Sequence, residues 1–242
     1  MKTYGLIGFP LNHSFSKKYF TNKFKFENID AKYINVEIES LCFLKDLIIK
    51  NNLSGINVTI PHKSKVLDFL DFIDDTAKTI GAVNTIKIVG DKLYGYNTDI
   101  IGFEKSIIPL LDNRKIAIIL GNGGVSKAIQ FVLEKLKINY KIVSRNSSFD
   151  YPDINKNIIN KVDIIINTTP LGTYPKINTV PNLPYSFLNS KHLLFDVVYN
   201  PKLSLFLKKG KDHGAIIKNG LEMLQIQADE SWDIWNSDKI NL

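Results

Sequence analysis

Lys115 to Leu120 is a single lysine followed by an unbroken apolar run, and it ends directly in Gly121-Asn122-Gly123-Gly124-Val125-Ser126. A strand with no polar alternation is buried on both faces, which calls for a parallel sheet covered by helices. A helix to Lys137 comes next. Strand, glycine turn and helix in that order form the setting in which a dinucleotide pyrophosphate rests on a helix N-terminus. The third glycine of that fingerprint is Ser126 here. The following strand, Asn139 to Val143, ends in Ser144-Arg145-Asn146-Ser147-Ser148. An acidic residue at that point would hold a ribose 2′-hydroxyl, and none is present at the strand end. Arg145 among small hydroxyl side chains suits a 2′-phosphate, hence NADP; the other reading is an ordinary exposed loop arginine.

The rest of this half continues the α/β pattern. Buried strands at Val162 to Asn167 and His192 to Val198 close in Asn167-Thr168-Thr169-Pro170-Leu171-Gly172 and Tyr199-Asn200-Pro201. Both put turn residues at the carboxyl edge of a parallel sheet, where ligands bind in open α/β folds. A helix over Leu203 to Lys209, a short strand over Ala215 to Ile217 and a final helix from Gly220 to about Asp238 complete it. In that last helix Leu221, Leu224, Ala228, Trp232 and Trp235 form an apolar stripe, with Gln227 beside it.

The first half repeats the pattern. Strands over Thr3 to Phe9, Lys32 to Ile38 and Gly55 to Ile60 alternate with helices over Ser14 to Ile29 and Ser40 to Asn52. Ser14 serves as an N-cap, or Ser14 and Ser16 together meet a polyhydroxylated ligand; the sequence leaves both open. Gly55-Ile56-Asn57-Val58-Thr59-Ile60-Pro61-His62-Lys63 is apolar on one strand face and presents Asn57 and Thr59 on the other. Pro61 ends the ladder because it has no N–H to give. Lys63 is expected to open a helix over Ser64 to Leu70, at the positive end of its dipole, where a cation is disfavoured. A hairpin pairs Thr85 to Val89 with Leu93 to Tyr96, so that Asn84 and Asp99 lie at strand margins.

Composition narrows the function. The 242 residues carry a net charge of +7, but almost all of it is dispersed lysine, with Arg114 and Arg145 as the arginines. Nucleic-acid surfaces favour arginine and clustered basic stripes, so the excess reads as solvated surface. No apolar run approaches a membrane span, and no signal segment is evident, which predicts a cytoplasmic protein. The single Cys42 excludes an intrachain disulfide and is expected to be a buried apolar filler on a helix. The four histidines lack ligand spacing, so no metal is expected.

Taken together, the motifs resemble the shikimate dehydrogenase family over nearly the full chain. They are Tyr4-Gly5-Leu6-Ile7-Gly8 with His13-Ser14-Phe15-Ser16, Gly55 to Lys63, Gly81-Ala82-Val83-Asn84-Thr85, and Asn97-Thr98-Asp99 with Gly102. Gly121-Asn122-Gly123-Gly124, Asp196-Val197-Val198-Tyr199-Asn200-Pro201 and Gly220-Leu221 with Met223-Leu224 and Gln227-Ala228 follow in family order. The resemblance implies two α/β domains. Residues 1–98 with 219–242 would form the substrate-binding catalytic domain, to which the C-terminal helix returns, and 99–218 a Rossmann-like NADP-binding domain. It implies that Lys63 and Asp99 are the catalytic pair, and that shikimate meets Ser14, Ser16, Asn57, Thr59, Lys63, Asn84, Asp99, Tyr199 and Gln227. NADP would be lined by Asp75, by Gly121, Asn122, Gly123, Gly124 and Val125, by Ser144, Arg145, Asn146, Ser147, Ser148 and Phe149, and by Val197 and Gly220. The activity implied is NADPH-dependent reduction of 3-dehydroshikimate to shikimate, by a monomer or homodimer.

Three departures from the family pattern stand out. Lys17 replaces the proline after the two serines, and Ser144-Arg145-Asn146 replaces Asn-Arg-Thr. Phe149 stands where a second basic residue is expected, which weakens but does not abolish preference for the 2′-phosphate. Two alternatives follow: an NAD-dependent quinate/shikimate dehydrogenase, and a non-catalytic NADP-binding regulator. The second predicts loss of the lysine–aspartate pair, and both residues are present.

Overall fold

A computed structural model describes residues 1–11, 14–145 and 148–239. The chain divides into two compact units, one of residues 1–101 and 225–242, the other of residues 102–224. The first unit holds a mixed sheet. Its strands are β1 (Lys2–Gly8), β2 (Ala31–Glu37), β3 (Leu53–Val58), β4 (Phe72–Ile73), β5 (Thr85–Val89) and β6 (Lys92–Tyr96), in the order β2-β1-β3-β5-β6-β4. β1, β2 and β3 run parallel, as the helical crossovers α1 (Phe15–Phe26) and α2 (Leu44–Asn51) require. β5 then reverses direction against β3 and forms the expected hairpin with β6. The short β4 and the helix α3 (Asp75–Ile80) fill the stretch before it.

Each element has a local cause. Ser14 caps α1 by accepting the Lys17 N–H, and Asp74 caps α3 by accepting those of Thr76 and Ala77. Gly81 ends α3 with φ of 67°, a left-handed conformation that glycine adopts without strain. The sheet buries a core on each face. Ile56, Val58, Ile86 and Leu93 pack with Leu41 and Leu44 on one side. Tyr4, Phe20, Phe24, Tyr33 and Trp235 pack on the other. Two expectations fail here. Cys42 is exposed, on a short 3-10 turn at Leu41–Phe43 in which Leu41 takes the buried position. The helix expected after Lys63 is a 3-10 stretch, Lys65–Phe69, which Lys63 precedes in a turn.

The second unit is a parallel sheet of β7 (Ile116–Leu120), β8 (Asn139–Val143), β9 (Ile164–Asn167), β10 (Leu193–Asp196) and β11 (Ile216–Asn219). Its order is β11-β10-β9-β7-β8. The order reverses at β7, so the carboxyl ends of β7 and β9 flank the switch point where such sheets bind ligands. Helices α5 (Gly124–Lys135), α6 (Lys156–Ile159) and α7 (Leu205–Asp212) accompany it. The chain enters this unit within α4 (Asp99–Ile107) and leaves it within α8 (Leu221–Asn236). Among the described residues no helix is long and apolar enough to cross a membrane, and no cluster of three or more His, Cys, Asp or Glu side chains could hold a metal ion.

At the end of β10 the carboxyl of Asp196 is fully buried, and burial pushes its pKa up to about 6 against the opposing donors Ser204, Val198 and Asn167. A carboxyl whose folded value exceeds its unfolded one stabilises the fold below about pH 4, and that contribution is lost as pH rises through about 6. Tyr185, whose phenol burial and the Asp196 charge push upward, stays neutral across this range. Urea unfolding of the parent and of Asp196→Asn at pH 4 to 7 should therefore diverge. The parent should lose on the order of 2–3 kcal/mol relative to the variant as pH rises.

Candidate functional site

Gly55 decides what lies on the outer face of β3. A Cβ there would stand 2.6 Å from the Trp235 ring, so only glycine lets α8 close on the strand. Trp235 then donates its indole N–H to the Ile86 carbonyl at 3.0 Å. Asn57, two residues along on the same face, meets α8 rather than solvent alone. Its Oδ1 accepts the Tyr33 hydroxyl at 2.8 Å, and its Nδ2 faces the Asn84 carbonyl, Thr85 Oγ1 and Ser231 Oγ at 3.0–3.3 Å. The Tyr33 phenol also bonds the Ser16 hydroxyl, and burial pushes its pKa upward.

Reversal of β5 against β3 brings Asn84 beside this cluster, with the Val58 N–H donating to the Asn84 carbonyl at 2.8 Å. The Asn84 side chain turns the other way. Its Oδ1 accepts the Thr98 N–H at 2.8 Å, and its Nδ2 donates to Asp99 Oδ1 at 3.0 Å. Asp99 is the first residue of α4, where a negative charge complements the helix dipole. Its remaining oxygen, Oδ2, accepts from Lys63 Nζ at 2.7 Å, with the two side chains 1% and 12% exposed. The backbone of Lys63 is fixed in turn by the Val83 N–H, which donates to its carbonyl at 2.8 Å. Because Lys63 starts no α-helix, the dipole effect expected for it drops out, and the Asp99 carboxylate is the charge that governs it.

The remaining residues expected at the substrate site divide between the units. In the first unit, Ser14 and Ser16 lie at the start of α1, half-buried. Thr59, also half-buried, sits just past β3, and a Cβ at Gly8 would stand 2.5 Å from its Cγ2. Gln227 is half-buried on α8, one turn before Ser231, whose hydroxyl donates to the Gln227 carbonyl at 2.8 Å. Asp75 is exposed in the first turn of α3. Tyr199 belongs to the second unit, where burial pushes its phenol upward.

The second unit also holds the residues expected to line the cofactor, Asp75 apart. Gly121 has φ of 103°, and a Cβ on it would stand 2.8 Å from Thr168 Oγ1. Gly123 is the N-cap of α5, with open space where a Cβ would be. No side chain caps α5 and no acidic residue occupies its first turn, so its leading N–H groups suit an anion such as a pyrophosphate. Ser126, in the third fingerprint position, is fully buried and accepts from Gln130 at 3.1 Å, so it packs as the small residue that glycine usually supplies. Asn122, Arg145 and Ser148 are exposed, and Val125, Ser144 and Val197 are half-buried. Gly220 lies against Val197, whose carbonyl oxygen would be 2.2 Å from a Cβ. Phe149 packs against the core beside Tyr151, with the Lys141 ammonium 5.0 Å from its ring centre. Asn146 and Ser147 lie outside the described residues.

Tyr33, Thr85, Thr98 and Ser231 complete the polar cluster without belonging to the expected set. Their hydroxyls are the only signal the sequence offers for them, because a buried hydroxyl needs a partner.

An oxidoreductase of the dinucleotide-binding α/β class is what this fold and site define. Residues 6–86 match the model of the shikimate dehydrogenase substrate binding domain. The chain is 40% identical to a shikimate dehydrogenase (NADP(+)) of Methanosphaera stadtmanae, over 96% of this chain and 90% of that one. It superposes with a TM-score of 0.87 on shikimate dehydrogenase 1 of Peptoclostridium difficile, at 37% identity over 99% of this chain and 93% of that one. It superposes at 0.85 on a Thermus thermophilus shikimate 5-dehydrogenase in complex with NADP(H) and shikimate, at 26% identity over 98% and 94% of the two chains. The chain belongs to the shikimate dehydrogenase family.

The hydrogen-bonded layer behind Asp99 is open to a direct check. Tyr33→Phe removes the hydroxyl that Asn57 Oδ1 accepts. Denaturant unfolding should show a loss of about 1–2 kcal/mol, the usual penalty for orphaning a buried acceptor.

Proposed function

We propose that this protein catalyses the reversible NADPH-dependent reduction of 3-dehydroshikimate to shikimate. The observation that supports it most is the Lys63–Asp99 contact, a buried ion pair of 2.7 Å at the margin of a polar cluster. A ketone that receives hydride gains negative charge on its oxygen and needs a proton donor within hydrogen-bond reach. Bound NADPH supplies the hydride. The Lys63 ammonium gives the proton to the oxygen, and Asp99 holds that ammonium in place while Asn84 holds Asp99. In the reverse direction Lys63 takes the hydroxyl proton back. Fixing the donor before the substrate arrives supplies part of the acceleration, because orientation is then not lost at each turnover.

Ser14, Ser16, Thr59, Asn84, Tyr199 and Gln227 are assigned to the substrate's hydroxyls and carboxylate. Asn57 joins them in this reading and, like Asn84 with Thr98 and Asp99, also braces the site, through its bonds to Tyr33, the Asn84 carbonyl, Thr85 and Ser231. Residues 1–98 with 219–242 are assigned to substrate binding, and residues 99–218 to NADP. In the latter the uncapped start of α5 takes the pyrophosphate and Arg145 the 2′-phosphate. The reading places the protein in the cytoplasm, as a monomer or homodimer.

Lys63→Ala should lower turnover by at least about 100-fold, the usual scale of a general acid, with shikimate affinity by calorimetry near that of the parent. Turnover that survives would remove the proton-donor assignment. Arg145→Ala should raise KM for NADPH about tenfold or more while leaving KM for NADH nearly unchanged, as loss of a charge-assisted phosphate contact implies. Equal changes for the two cofactors would remove the 2′-phosphate assignment.

A further inference from the structure

Asp196 is a fully buried carboxylate that the proposed reaction does not use, and its contacts all lie in the second unit. Its Oδ1 accepts from Asn167 Nδ2 at 2.9 Å and from the Val198 N–H at 3.1 Å, and its Oδ2 accepts the Ser204 hydroxyl. Asn167 is fully buried as well, and its amide can face only one way. Its Oδ1 accepts the Thr169 N–H at 3.1 Å and the Thr169 hydroxyl at 2.6 Å, which leaves Nδ2 for Asp196 and the Leu171 carbonyl. One carboxylate thus fixes both the turn after β9 and the turn after β10. Both turns are confined in space. A Cβ at Gly121 would already stand 3.1 Å from Thr169 Cγ2, and one at Gly220 would stand 2.2 Å from the Val197 carbonyl oxygen. The turns therefore abut the glycine turn after β7 and the Gly220 backbone, and a small shift in them reaches both.

We propose that Asp196 is a positioning residue for the cofactor edge of this unit, setting the Thr168–Leu171 and Val197–Val198 backbone on which NADPH affinity depends. This rests on the reading that the second unit binds NADPH. A carboxylate held by neutral donors is a costly way to join two strand ends, and a well-packed apolar side chain would serve stability better. Burial raises the proton affinity of Asp196 despite those donors, in keeping with that cost. Buried polar groups that work against stability concentrate where geometry serves a site. Asp196 sits at the carboxyl end of β10, among the strand ends where ligands of such sheets bind.

Titration of NADPH, followed by its fluorescence, with calorimetric titration of shikimate as the second readout, tests this on the full-length protein. Asp196→Ala should weaken NADPH binding tenfold or more, and the isosteric Asp196→Asn threefold or more, in each case at least threefold more than any loss of shikimate affinity, which the neighbouring Tyr199 in the same turn can transmit. Circular dichroism identifies the folded variants. If the alanine variant does not fold, the asparagine variant decides. Parent-like NADPH affinity in either folded variant overturns the proposal, as does a parallel loss of both ligands, which would mark a merely structural role. A parent that binds shikimate but not NADPH would overturn the cofactor reading itself, and the inference with it.

Discussion

A lysine and an aspartate held 2.7 Å apart, with the carboxylate sealed from water, set the terms for the first unit. Taking two charges out of solvent costs several kcal/mol per ion, and their attraction offsets this only when the remaining valences are met. Asp99 meets them through Asn84 on its other oxygen and through Asn97, whose Oδ1 accepts the Asp99 N–H at 3.0 Å. Asn97 is anchored by donating to the Ala82 carbonyl at 2.9 Å, and Asn84 by Thr98 and Thr85. Each polar residue thus requires another behind it, and the series ends on Ser231 in α8 and Tyr33 on β2. The antiparallel turn of β5 against β3 is what makes this possible. In an all-parallel sheet, Asn84 would not be delivered to the end of β3.

The second unit contains a buried carboxylate of a different kind. Asp99 faces a cation, whereas the groups bonded to Asp196 are an amide, a backbone N–H and a hydroxyl. Neutral donors orient a carboxylate well but compensate its lost hydration poorly, which is why burial dominates at Asp196. In the proposed reading, one site holds a charge for use and the other uses a charge to hold backbone. Ser204 connects the second role to the fold, since the hydroxyl that reaches Asp196 also caps α7 by accepting the Leu207 N–H at 3.3 Å.

Much of this was legible in the sequence, for identifiable reasons. The apolar runs of β7, β9 and β10 and the glycine turn after β7 are contiguous signals, so the parallel sheet could be read directly. Lys63 and Asp99 could be paired only through family resemblance, because nothing local links them. Alternation placed Asn57 opposite the core face of β3, but it could not say what covers that face. The answer lies in Gly55 and Trp235, far apart in sequence and joined only by packing. The two-residue β4 is shorter than any periodicity can register. Cys42 departs from the helical expectation because Leu41–Phe43 is a 3-10 turn, which rotates successive side chains differently. Phe149, which stands where a second basic residue is expected, packs its ring against the core with the Lys141 ammonium 5.0 Å from its centre.

The end of the chain shows why the C-terminal helix belongs with the first sheet. The last carbonyls of α8 have no partners within the helix and form the negative end of its dipole. Just past the helix, the carbonyl oxygens of Ser237 and of Lys239, the latter at 3.1 Å, accept from the ammonium of Lys87, which is buried on β5. Burial lowers its proton affinity, a cost that a purely solvated lysine would not meet. In return, β5 grips α8 at its end through Lys87 and along its length through the Trp235 contact with Ile86. The residue before Ile86 is Thr85, which bonds Ser231 on the same helix at 2.8 Å. Strand β5 therefore holds α8 at successive positions, and Ser231 and Gln227 take their places relative to Asn84 from that strand. The lysine that secures the helix and the lysine proposed to deliver the proton are thus parts of one mechanical arrangement, joined through β5.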